Sequence, residues 1–208
     1  MSKNILTILA LLTSFLVLAQ KSITLQEIWS NQFAAKRLNS INALQKSNQY
    51  SVLDYDKNNK SYKIDLYDFV TQKQNKTILN TNDVSAFKAF SSYTFDKAEK
   101  QLLLATDLKP IYRHSFTAIY FVYDIDSKKV IKVADYPIQE PTFSNDGSKI
   151  AYAHLNNLYV FDIATKTHTQ ITTDWKINHI INGITDWVYE EEFAFVRAFD
   201  WSADDKNF

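Results

Sequence analysis

Three landmarks recur along this chain at intervals of roughly 50 residues, a spacing typical of repeat architectures. They are Thr94-Phe95-Asp96, Thr142-Phe143-Ser144 and Asp200-Trp201-Ser202, each followed by a short polar turn. The turns are Lys97-Ala98-Glu99-Lys100, Asn145-Asp146-Gly147-Ser148 and Ala203-Asp204-Asp205-Lys206. Gln101–Thr106 and Lys149–His154 follow the first two turns as apolar strands. Tyr120-Phe121-Val122-Tyr123-Asp124-Ile125 then matches Leu158-Tyr159-Val160-Phe161-Asp162-Ile163. Each leads through another polar turn to a last strand, Val130–Val133 or His168–Thr172. A repeat that reads as four short strands is the pattern of a propeller blade, with a β-sandwich of unrelated hairpins as the alternative.

The repeats organise the rest of the chain. Upstream, Ala43-Leu44, Tyr50–Leu53 and Tyr62–Tyr67 alternate apolar and polar positions around the turn Lys57–Lys60, as half-buried strands do. No segment after residue 40 keeps a helical period for three turns. Residues 20–39 form a lead-in, in which Thr24 and Glu27 spell a capping box before Ile28-Trp29. Residues 1–19 have a basic start at Lys3, an apolar run over residues 5–18 and a small-residue end. This is a secretory signal with cleavage expected after Ala19, an uncleaved membrane anchor being the alternative. The expected organisation is therefore a signal at 1–19, a lead-in at 20–39 and a partial propeller at 40–208. The propeller part amounts to about three blades and the start of another. So few blades do not close a ring, which leads us to expect the amino-terminal piece of a larger exported protein, periplasmic or secreted.

Composition removes several function classes. With 23 basic and 23 acidic residues there is no basic face to neutralise nucleic acid. Cysteine is absent, which rules out a disulfide framework, a cysteine nucleophile and a thiolate metal site. Only Gly147 and Gly183 are glycines, and neither frames a G-x-S-x-G nucleophile elbow, a phosphate loop or a dinucleotide turn. The histidines His154, His168 and His179 have no ligand spacing. No metal or cofactor is expected.

Two insertions break the repeat, Asp107–Phe116 and Trp175–Phe193, and function is commonly grafted into such insertions. The second contains Asp186-Trp187-Val188-Tyr189-Glu190-Glu191-Glu192-Phe193. Adjacent carboxylates point to opposite faces of a strand but lie about 100° apart on a helix, so convergence on one cation favours a short helix. Asp186 is placed to cap it. On charge alone a solvated acidic turn is the commonest reading of such a run. The flanking Trp187, Val188, Tyr189, Phe193 and Phe195 predict instead a run held near a packed surface, where repulsion raises at least one carboxylate pKa. A peptide α-amino group, cationic at neutral pH, is a natural partner.

The wording N-G-I-T-D-W-V-Y-E-E-E closely resembles the glutamate motif of the dipeptidyl peptidase IV family, within the prolyl oligopeptidase clan. Tyr112-Arg113-His114-Ser115-Phe116-Thr117-Ala118 resembles that family's R-H-S-x-T-A segment. The I-T-L-x-x-I-W lead-in and the F-S-N-D-G-S-K-I-A-Y-A repeat are similar to it too. The resemblance implies an all-β fold of four-stranded antiparallel propeller blades, an incomplete ring here, with two short helices. It implies that Glu191 and Glu192 bind a substrate's amino terminus, that Arg113 contacts the carbonyl of its second residue, and that Glu190, Tyr189, Trp187 and Asp186 support them. It further implies a parent serine dipeptidyl peptidase removing X-Pro or X-Ala dipeptides. The Ser-Asp-His triad would lie in a downstream α/β-hydrolase domain absent from this chain, which alone would be inactive. The full-length form would be a homodimer. A non-catalytic exported propeller that binds peptides or envelope proteins is the alternative.

Overall fold

The computed structural model describes residues 22–30, 32–35 and 41–207. The expected signal at 1–19 and its cleavage point lie outside these. The chain divides into residues 1–38 and 39–208. In the first unit a helix spans Leu25–Trp29. Thr24 and Glu27 cap it reciprocally: the Glu27 N–H donates to the Thr24 hydroxyl at 3.2 Å and the Thr24 N–H to the Glu27 carboxylate at 3.0 Å.

The second unit carries three sheets, each a four-stranded antiparallel meander in chain order. The first holds β1 (Ile41–Ala43), β2 (Gln49–Asp56), β3 (Ser61–Asp68) and β4 (Gln74–Asn80). The second holds β5 (Ser92–Phe95), β6 (Gln101–Pro110), β7 (Phe116–Asp124) and β8 (Val130–Lys132). The third holds β9 (Gln139–Phe143), β10 (Lys149–His154), β11 (Asn157–Asp162) and β12 (Thr167–Gln170). These are propeller blades.

Between the blades lie two apolar seams, and the period-2 alternation of strands explains them. On β6, Leu102 and Leu104 face one way and join Ile64, Leu66, Phe87 and Phe121 between the first and second sheets. Leu103 and Ala105 face the other way and join Val122, Ile138, Ile150 and Phe161 between the second and third. With both faces covered, the middle strands of the second sheet read as continuous apolar runs. Each fully buried leucine here stabilises the fold by about 1.5–3 kcal/mol.

The structure corrects the expected insertion at Asp107–Phe116. Half of it is strand: β6 runs on to Pro110 and β7 already starts at Phe116, with a register shift between Thr106 and Lys109. Asp107 takes a left-handed φ of 50° there, as a bulge residue does. Only Ile111–Ser115 remains as a tip, closed by the Ile111 N–H donating to the Ser115 carbonyl. Arg113 therefore sits on the end of a long hairpin, not on a loose loop. The last strands, β8 and β12, are also shorter than expected.

Candidate functional site

The glutamate run forms a helix over Trp187–Phe193. Asp186 caps it, its Oδ1 accepting the N–H groups of Val188 and Tyr189 at 3.0 and 3.1 Å; such a cap contributes about 1 kcal/mol. Ala194, left-handed at φ 51°, ends it and donates its N–H to the Glu190 carbonyl. The helix is held by its flanks. Ile184 bridges Arg197, the Thr185 N–H donates to Val196, and the Thr185 hydroxyl donates to the Phe195 carbonyl. Upstream, the Asn182 N–H donates at 3.0 Å to the carbonyl of Asn156, in the tight turn joining β10 to β11. Leu155 and Asn156 both have positive φ in that turn, 48° and 57°, as a two-residue hairpin requires.

The three glutamates fan out around the helix and meet different surroundings. Glu190 is 3% exposed, and its Oε1 accepts the backbone N–H groups of His114 and Ser115 at 2.7 and 2.8 Å. Glu191 is half-buried and pairs with Arg113, Nη2 to Oε2 at 3.2 Å. Glu192 is exposed. Arg113 and the glutamate motif, far apart in sequence, thus meet between the β6–β7 tip and the helix. The expected pKa rise is not what Glu190 shows. Burial pushes its carboxyl up, but the backbone N–H groups of Ser115 and His114 that it accepts hold it below the usual carboxylate value.

That shift has a sign. A carboxylate whose pKa is lowered by folding stabilises the fold above its unfolded value and loses that contribution as pH falls through the folded one. The urea midpoint of the chain should fall as pH drops below the ordinary glutamate value of 4.5, and the fall should be shallower in Glu190→Gln. Parallel acid limbs in the two proteins would remove Glu190 from that account.

The apolar flank departs from expectation. Trp187 is 54% exposed, Tyr189 53% and Phe193 70%, so the aromatic residues do not carry the run into a core. A helix this short has one inward-facing line, and Glu190 occupies it. Beside the helix lies a cleft of about 280 Å³ lined by Tyr112, Ser115, Gln139, Asp186, Trp187 and Glu190. Neither Gln139 nor its neighbour Glu140 belongs to a recognisable sequence motif. Burial raises the pKa of Glu140, Arg197 lowers it, and the charge of Glu190 raises it. An isolated Q-E-P has no pattern to reveal it; the left-handed φ of 49° at Glu140 is a structural signal only. The histidines are ordinary: the Nδ1 of His154 lies 3.0 Å from the Pro137 carbonyl and that of His168 2.9 Å from the Tyr152 hydroxyl. Among the described residues, no group of three potential metal-ligating side chains comes together.

A family model described as the dipeptidyl peptidase IV N-terminal region matches residues 96–208, which is more than half of the chain. The chain belongs to the dipeptidyl peptidase IV family. Human prolyl endopeptidase FAP is 35% identical over 136 residues, 64% of this chain and 18% of that protein. Dipeptidyl peptidase 4 of Felis catus is 30% identical over 177 residues, 74% of this chain and 23% of that one. The crystal structure of Porphyromonas gingivalis dipeptidyl peptidase 4 superposes with a TM-score of 0.79 at 31% identity, covering 89% of this chain and 27% of that one. The chain thus spans about a quarter or less of the length of these relatives. The matched region of the family begins at Asp96, in the turn after β5, and takes in both the Arg113 tip and the glutamate helix.

Proposed function

We propose that this chain is the substrate-gating propeller portion of an exported serine dipeptidyl peptidase, and that Glu191 and Glu192 hold the free amino terminus of a peptide. The observation that carries this reading is the Arg113–Glu191 pair at 3.2 Å. It joins the two segments that resemble the family's substrate-reading motifs. In this reading the ammonium group sits between the Glu191 and Glu192 carboxylates. The planar guanidinium of Arg113, oriented by Glu191, donates to the carbonyl oxygen of the second residue. Fixing both ends of the first two residues lets only the second peptide bond reach a nucleophile, which is positioning used for specificity. The nucleophile, its histidine and its aspartate belong to a hydrolase domain of the parent, and Pro or Ala at the second position follows from the family.

Paired substrates test it. The parent should hydrolyse Gly-Pro-p-nitroanilide, and the N-acetylated form should be cleaved at least about a hundredfold more slowly, the loss expected when one partner of a buried charge pair is removed. Equal rates on both would overturn the amine clamp. Peptide binding without hydrolysis of either would favour a non-catalytic exported propeller.

A further inference from the structure

Among the described residues, a carboxylate accepts two consecutive backbone N–H groups of a segment more than 50 residues away in three places, whereas Asp56, Asp68, Asp96 and Asp186 do so only within their own turns. Glu99, in the turn after β5, accepts the N–H groups of Gln45 and Lys46 in the turn after β1, at 2.5 and 3.1 Å. Asp205 accepts those of Asn145 and Asp146 in the turn after β9, at 2.7 and 2.9 Å. Both carboxylates stand fourth after their landmark position, Phe95 or Trp201, and both have left-handed backbone, φ 59° and 56°. Each reaches back to the second and third residues after the corresponding position of the preceding repeat. The equivalent residue after Phe143 is Gly147, φ 73°, which has no side chain to reach with. A Cβ there would lie 3.0 Å from the Asp96 carboxylate, so the place is already taken. At that seam the repeat's own tie is missing, and Gln101 donates to the Gly147 carbonyl instead.

The third instance lies at the opposite end of the same pair of sheets. The β6–β7 tip is one strand length from the β5–β6 turn, and there Glu190 accepts the His114 and Ser115 N–H groups. Its helix is seated on the third sheet through Gly183 and Asn182. We propose that this two-amide tie is the chain's recurring blade-to-blade latch. Glu190 supplies it where Gly147 leaves the repeat without one, and so acts as a positioning residue that sets Arg113 against Glu191. Charge-assisted bonds to two adjacent amides are strong and directional, and Arg113 is the residue next to the first of them. The consequence for substrate rests on the amine-clamp reading; the latch does not.

Amide hydrogen exchange on the full chain separates the two. Glu190→Ala should speed exchange at His114 and Ser115 by about tenfold or more while leaving Gln45 and Lys46 unchanged. Glu99→Ala should do the reverse. Glu190→Gln, whose amide oxygen can still accept both bonds, should restore most of the protection. Glu190→Asp, one methylene shorter, should not, and it serves if the alanine variant does not fold. Unchanged exchange at His114 and Ser115 in Glu190→Ala or Glu190→Asp overturns the latch. In the parent, Glu190→Ala should cost little further kcat/KM once Arg113→Ala is present, with rescue by Glu190→Gln in the Arg113 background; additive losses overturn the positioning role. A parent without peptidase activity would sink the proposed function, and the exchange result would still decide the latch.

Discussion

If Glu191 and Glu192 clamp the substrate amine as proposed, replacing Glu191 by Ala in the parent protein should lower kcat/KM on free-amine dipeptide substrates by an amount equivalent to about 2–5 kcal/mol. Two losses combine. In the proposed clamp the substrate ammonium would lose one of its two carboxylates, and Arg113, whose side chain is 71% exposed, would lose its ion-pair partner. Glu192→Ala should remove the other carboxylate of the proposed clamp but leave the Arg113–Glu191 pair in place, so any effect through Arg113 should be smaller. Steady-state kinetics on Gly-Pro-p-nitroanilide provide the check. If Glu191→Ala keeps the parent's kcat/KM, Glu191 does not bind the amine.

Gly183→Ala destabilises the fold by about 2–4 kcal/mol through backbone strain and overpacking together. Gly183 has φ +81°, where a Cβ is strained whatever the space. A Cβ there would also collide with Leu158 Cδ2 and lie 3.3 Å from the Ala153 Cβ, both on the third sheet. The chain approaches β10 and β11 this closely because Gly183 lacks that atom, and the close approach seats the segment leading to the glutamate helix. Urea unfolding should show a lower midpoint with the slope unchanged. Gly147→Ala, where the nearest atom to a Cβ would be the Asp96 carboxylate at 3.0 Å, should cost less, because that approach is milder than the collision with Leu158 Cδ2 at Gly183. An unaltered midpoint in Gly183→Ala would mean that the segment does not pack as described.

Much of this architecture is legible in the sequence because it is local or periodic. The alternation on β3 and the matched strands β7 and β11 follow from the two-residue repeat of a strand, and their order follows from short polar turns. Thr24 with Glu27, and Asp186 before the glutamate run, announce their helices through bonds spanning two or three residues. The extent of the Arg113 hairpin was less legible. Asp107-Leu108-Lys109-Pro110 has neither clean alternation nor a turn signal, and the bulge at Asp107 restores pairing that sequence order does not show.

The blades, their strand order and the capped helix on which three carboxylates stand depend on neighbours along the chain and are therefore written in the sequence. What each carboxylate touches depends on contacts between distant segments. Trp187, Tyr189 and Phe193 suggested a buried flank, yet the inward line of the helix belongs to Glu190. Its burial is tolerable because two amides from a different sheet meet it there. Glu191 meets Arg113 for the same reason: a hairpin tip and a short helix, distant in sequence, are brought together by the packing of neighbouring blades.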